Sequence, residues 1–124
     1  MSPDASPAVG LAVHLYASDG HWIAWYRPGL PFLWNTRDRW VGWFPWRDAS
    51  SPEPRDDVLD PHDAYLGTVV GDRLLARAVR RPRAVPVRVP EPTRPVGPPD
   101  VDRAVALPPP IGFTDVARHR LFGD

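Results

Sequence analysis

Three stretches of this chain align without gaps: "YASDGHWIAWY" from Tyr16, "WNTRDRWVGWF" from Trp34 and "LDPHDAYLGTV" from Leu59. Repetition constrains a fold more than any single motif, because each copy must solve the packing problem its neighbours solve. Each copy opens on a large apolar residue (Tyr16, Trp34, Leu59), and an aromatic follows six positions later (Trp22, Trp40, Tyr65). A branched aliphatic comes next (Ile23, Val41, Leu66), then a small residue (Ala24, Gly42, Gly67).

Polar pairs stand midway: Asp19-Gly20, Arg37-Asp38 and His62-Asp63. The pattern predicts one β-hairpin per copy, with its turn on those pairs. A three-residue turn sets Tyr16 opposite Trp22, Trp34 opposite Trp40 and Leu59 opposite Tyr65, and such pairs contribute about 0.2–1 kcal/mol each. Only the first copy has glycine in its turn, so the other two are expected to differ in type or carry strain. The small column matters most. A glycine inside a strand marks a close backbone approach, which favours ribbons arranged about a common axis over a flat meander. A fourth ribbon should open at Leu74-Leu75, but no aromatic stands six residues on. It is therefore degenerate or completed by the C-terminal segment.

In order and spacing, "DGHWIAW", "RDRWVGWFPW", "YLGTVVGDRLL" and "LPPPIGFTDV" resemble the four-fold beta flower domain family, over residues 16–75 plus the C-terminal motif. The resemblance implies an all-β, shallow, pseudo-symmetric barrel-like ring of β-hairpins in small, mostly bacterial proteins, and it implies no activity. The chain departs from the pattern in its glycine-free second and third turns, in Ala24, and in the insertion "PWRDASSPEPRD".

Ten of the 18 prolines fall in residues 79–110. Proline has no N–H and a fixed φ, so this stretch cannot form a helix or a central strand. The expected organisation is a flexible N-terminus (1–10), the hairpin domain (11–78), a Pro/Arg-rich extended connector (79–110) and a short motif (111–124) that docks on the domain. "IGFTDV" is expected along the domain edge through Ile111, Phe113 and Val116, while "DVARHRLF" has weak helical character, with Val116 and Leu121 too far apart to make an amphipathic stripe.

Function is narrowed mainly by exclusion. The net charge is zero and cysteine is absent, so no global field draws polyanions and no thiol or Cys-ligated zinc chemistry is available. All 15 basic residues are arginine. Seven of them (Arg73, Arg77, Arg80, Arg81, Arg83, Arg88, Arg94) oppose the single acid Glu91, without a nucleic-acid motif. The acidic stretch holding Asp48, Glu53, Asp56, Asp57, Asp60 and Asp63 lacks the order of a calcium loop. No catalytic motif occurs, His21 and His62 fall at solvated turns, and neither cofactor nor metal is implied. The N-terminal residues have neither a basic n-region nor an adequate apolar run, so a cytoplasmic setting is expected; nucleic-acid and membrane partners are disfavoured.

Strict alternation puts Trp22, Trp40 and Tyr65 with Tyr26, Phe44 and Val69 on one face, and Ile23, Val41 and Leu66 with Trp25, Trp43 and Thr68 on the other. Both faces are apolar, whereas a domain this small buries only about 60% of its unfolded surface. Some aromatic surface is thus expected to stay exposed unless a partner, a loop or the C-terminal segment covers it. Core packing is the leading reading of the tryptophans, ahead of a protein or oligomer contact and then a ligand platform. The expected function is a non-enzymatic interaction or scaffold module, engaging a protein partner or a second copy. The alternative is a small-ligand domain caging a glycan, lipid or quaternary ammonium on Trp25, Trp43 and Trp46 by cation–π attraction.

Overall fold

The computed structural model describes residues 11–47, 56–78, 92, 97–98 and 101–123. The expectations for residues 1–10, for Asp48 and Glu53, and for Arg80, Arg81, Arg83, Arg88, Glu91 and Arg94 lie outside the described residues. Each repeat is a hairpin: β1 (Val13–Tyr16) with β2 (Trp22–Tyr26), β3 (Phe32–Asn35) with β4 (Trp40–Trp43), and β5 (Asp57–Leu59) with β6 (Tyr65–Val70). Tyr16 faces Trp22, Trp34 faces Trp40 and Leu59 faces Tyr65. These are the pairings the repeat predicts.

The three turns are alike. In each, one backbone bond closes the ribbon (Ala17 N to His21 O, Asn35 N to Arg39 O, Asp60 N to Ala64 O). A second closes the tight turn within it (Gly20 N to Ala17 O, Asp38 N to Asn35 O, Asp63 N to Asp60 O). The last turn residue is left-handed in every copy: φ is 93° at Gly20, 59° at Asp38 and 66° at Asp63. This is a type I turn followed by a left-handed bulge residue, and aspartate tolerates that conformation better than most side chains. The turns expected to differ therefore share one geometry. Asn35 and Asp60 reinforce the glycine-free copies: each Oδ1 accepts two turn N–H groups, from Arg37 and Arg39 or from His62 and Ala64.

The fourth ribbon is assembled from distant sequence. β7 (Arg73–Arg77) pairs with β6, with β1 through a parallel bridge between Tyr16 and Arg73, and with β8 (Phe113–Asp115). Seven strands thus close a barrel and β8 adds an eighth. After β8, Val116 and the short helix α1 (Arg118–Phe122) send Leu121 and Phe122 into the core. The C-terminal motif docks, but more deeply than the edge placement expected: Val116 is buried while Ile111 is fully exposed. Among the described residues, no helix is long and apolar enough to cross a membrane.

The core centres on Leu15, Leu33, Val58 and Leu74, one from the opening strand of each ribbon and all fully buried. The small column faces this centre. A Cβ on Gly42 would stand 2.6 Å from Val58 Cγ1 and 2.8 Å from the Leu59 carbonyl oxygen. One on Gly67 would meet the Leu75 oxygen and Val116 Cγ2, each at 3.0 Å. Each glycine is thus the gap into which the next ribbon packs.

Strict alternation fails at one point in each of the three repeats. The register shifts between Leu15 and Tyr16, between Leu33 and Trp34, and between Val58 and Leu59. Each shift inserts one extra residue on the partner strand, and a bulge turns its side chain. Ile23, Val41 and Leu66 consequently share the core with Ala24 and Phe44, and Tyr26 and Val69 pack against it. Trp43 faces away into a second cluster with Trp46 and Leu59.

Candidate functional site

The tryptophans do not form an open platform. Trp25, Trp43 and Trp46 are 0, 3 and 5% exposed, and Trp34 is also buried. Trp25 stacks on Trp34 with centroids 5.9 Å apart and donates its Nε1–H to the Asn35 carbonyl at 3.1 Å. Trp22 and Trp40, both half-buried, donate to the carbonyls of Ala24 and Gly42 at 2.8 and 2.7 Å, so the aromatic column is tied to the small column. Trp25, Trp43 and Trp46 therefore offer no exposed ring face to a ligand, while Trp22, Trp40 and Tyr65 stay partly exposed.

Trp43 and Trp46 are covered by Leu59, Phe32 and Tyr65, and arginines cover other rings. Arg27 lies 5.2 Å from the Trp25 ring, and Arg47 lies 4.5 and 3.8 Å from the rings of Tyr26 and Phe44. Arginine covers apolar surface with its stem and stacks its guanidinium on rings while its outer edge stays wet. A small domain can in this way close two apolar faces, which counting aliphatic and aromatic residues alone does not anticipate.

Exposed apolar surface lies elsewhere. Residues 101–110 run as an extended strap across the first turn, without helix or strand. Ala104 N donates to Gly20 O and Leu107 N to Ser18 O, both at 2.8 Å. That three-residue interval is the period of a polyproline helix. The buried Arg73 guanidinium clasps the strap to the barrel seam: Nη1 donates to Ala17 O at 2.9 Å and Nη2 to Val105 O at 2.6 Å. Arg103 Nη2 adds a bond to Asp19 O at 3.1 Å. Beyond the strap, Ser18 donates through both its N–H and its hydroxyl to Asp115, fixing the first turn to β8.

Held this way, the strap turns Val105, Leu107 and Ile111 outward, at 76, 54 and 104% exposure. Beside them a largely apolar pocket of about 250 Å³ opens between Val70, Leu75, Leu107 and Pro108–Pro110. Arg73 was visible in the sequence only as one member of an arginine tract. Its role as a clasp depends on the β1–β7 closure, which no local pattern encodes.

A buried polar network joins β5, β6 and β7. Asp57, 1% exposed, accepts from Thr68 Oγ1 at 2.8 Å and from Arg77 Nε at 3.4 Å. The Tyr65 hydroxyl bonds Thr68 Oγ1 at 2.6 Å and accepts from Arg77 N at 3.0 Å. The carboxylate is neutralised by its own β7 arginine, so the network joins β5, β6 and β7 structurally. Among the described residues, no group of three or more histidine and acidic side chains is placed to hold a metal ion. Comparison with protein-family models, curated proteins and solved structures finds no match to the chain.

Proposed function

We propose that the chain is a non-enzymatic interaction module of the beta flower type, and that its contact surface is the strap rather than the tryptophan clusters. The observation that carries this reading is the exposed trio Val105, Leu107 and Ile111 beside an apolar pocket, on a backbone anchored by Arg73 and the first turn. Exposed apolar side chains on a fixed backbone mark interaction surfaces, because their burial by a partner gains hydrophobic energy at little ordering cost. The matching registers of the three ribbons support the beta flower assignment.

The partner is a protein surface or a second copy of the chain, met through apolar contact. Light scattering across a concentration series, paired with quantitative pull-down, tests this on the full chain and on the Val105→Ser/Leu107→Ser/Ile111→Ser variant. All three positions are exposed, so the variant is expected to fold. Association that weakens about tenfold or more in the variant supports the reading, since each lost apolar contact costs on the order of 1 kcal/mol. A strict monomer with an unchanged set of partners would count against it.

A further inference from the structure

A second, chemically different cleft lies away from the strap, between the turns of the second and third ribbons and α1. Its volume is about 250 Å³, and Arg39, His62, His119 and Arg120 line it together with Trp40 and Asp60. Four basic side chains from three separate elements therefore meet in a chain whose net charge is zero.

The acid in this cleft is already spent. Asp60 Oδ1 accepts the His62 and Ala64 N–H groups at 2.8 and 3.0 Å, and Oδ2 accepts from Arg120 Nη2 at 3.1 Å. Arg120 Nη2 also donates to the Tyr65 carbonyl at 2.9 Å, which fixes its guanidinium in place. Among the described residues, by contrast, the side chains of Arg39, His62 and His119 have no hydrogen-bond or ion-pair partner. Two arginines flank Phe122 at the cleft wall, Arg37 at 5.2 Å and Arg118 at 5.1 Å from its ring. Arg39, His62 and His119 thus leave unpaired side-chain nitrogens around a concave, partly apolar space.

We propose that this cleft binds a small phosphomonoester, its phosphoryl group held by Arg39, His62 and His119 and its organic part against Trp40. Guanidinium groups match phosphoryl oxygens in planar, charge-assisted pairs. Histidine adds a ring N–H that can donate to a phosphoryl oxygen. The volume admits a phosphoryl group with a short organic chain. This site is independent of the strap and of the interaction reading, so either stands without the other.

The chain supplies its own controls, because its four histidines divide between the cleft (His62, His119) and β1 with the first turn (His14, His21). Glycerol 3-phosphate is titrated into the full chain at constant ionic strength, which removes non-specific screening effects, while the four imidazole C–H resonances are followed. Saturable shifts at His62 and His119 with a common Kd are expected, with His14 and His21 unmoved and glycerol silent. Arg39→Ala weakens binding about tenfold or more, the loss of one charge-assisted contact, while Arg103→Ala, on the strap, leaves it unchanged. Shifts that fail to saturate, that appear equally at His21, that glycerol reproduces, or that persist unchanged in Arg39→Ala would overturn the site.

Discussion

Asn35 Nδ2 donates to the carbonyl of Leu121 at 2.7 Å, joining the second turn to the last turn of the chain across 86 residues of sequence. The same side chain accepts from Arg37 and Arg39, and its backbone carbonyl accepts from the Trp25 indole. One buried residue thus organises a turn and anchors the C-terminal helix through its side-chain amide, and holds a core tryptophan through its backbone carbonyl. Asn35→Ala strands the Leu121 oxygen and two turn amides, at a cost on the order of 2–3 kcal/mol. Asn35→Asp keeps the acceptor the turn needs but sets a carboxylate oxygen against the Leu121 carbonyl. Urea unfolding should show both variants destabilised, and hydrogen exchange should show faster exchange at residues 121–123 in Asn35→Asp. An Asn35→Asp chain as stable as the parent would refute this account of the anchor.

The gaps between ribbons rank the small column. Gly42→Ala drives a methyl group to 2.6 Å from a Val58 methyl and 2.8 Å from the Leu59 backbone oxygen, whereas Gly67→Ala meets the Leu75 oxygen and Val116 Cγ2 only at 3.0 Å, and the Val116 side chain can shift. Overpacking of this kind costs about 1–3 kcal/mol, and backbone cannot yield as a side chain can. Gly42→Ala should therefore lose more stability than Gly67→Ala. Ala24→Gly should lose only about 0.5–1 kcal/mol, the entropy of one residue in a strand. Denaturant midpoints of the three variants check the order, and a reversed order for the glycines would be incompatible with the ribbon packing described.

These small residues also show what could be read from sequence. Period and pairing were legible because each ribbon is local: Tyr16 meets Trp22 within one turn, so spacing alone sets the register. The bulges were not legible, since no residue type demands an extra position after Trp22, Trp40 or Tyr65, and one slipped residue reverses the face on which Ile23 is expected. The fourth ribbon could be foreseen only as incomplete. Its second strand lies beyond the proline-rich stretch, and Leu75 meets Asp115 through tertiary closure rather than a turn. The exposed surface was misplaced because the arginine lids over Trp25 and Phe44 belong to pairs that form only after folding.

Gly20 serves both the turn and the strap. Its φ of 93° suits glycine, and a Cβ there would overlap the Ala104 carbonyl, whose residue donates its own N–H to Gly20 O. Gly20→Ala should cost about 1–2 kcal/mol from the left-handed backbone alone and, in addition, lift the strap. Asp38→Gly, at the equivalent position of the second turn, should stay within about 1 kcal/mol of the parent because it relieves the same conformation. Exchange rates of the Ala104 and Leu107 amides separate the two effects. They should rise in Gly20→Ala and hold steady in Asp38→Gly, and unaltered protection in Gly20→Ala would dissociate the strap from the turn.

The first turn also carries a pH dependence. The Asp19 carboxylate accepts the His21 backbone N–H at 3.0 Å and bonds the His21 ring Nδ1 at 2.7 Å. These bonds, the backbone one foremost, hold its pKa below the ordinary 3.8, with further help from the charges of His21 and Arg103. A carboxyl whose pKa is depressed on folding favours the folded state above its unfolded pKa, and that contribution fades as pH falls through the lower, folded value. Asp19→Asn retains an oxygen for the His21 N–H but loses the charge. The stability gap between parent and variant should thus be full above the ordinary carboxylate range and shrink in more acidic solution. Urea midpoints measured across the acid range for both chains test this. A gap that stays constant as the solution is acidified would mean that the carboxylate contributes through shape and neutral hydrogen bonding, with no part played by its ionisation.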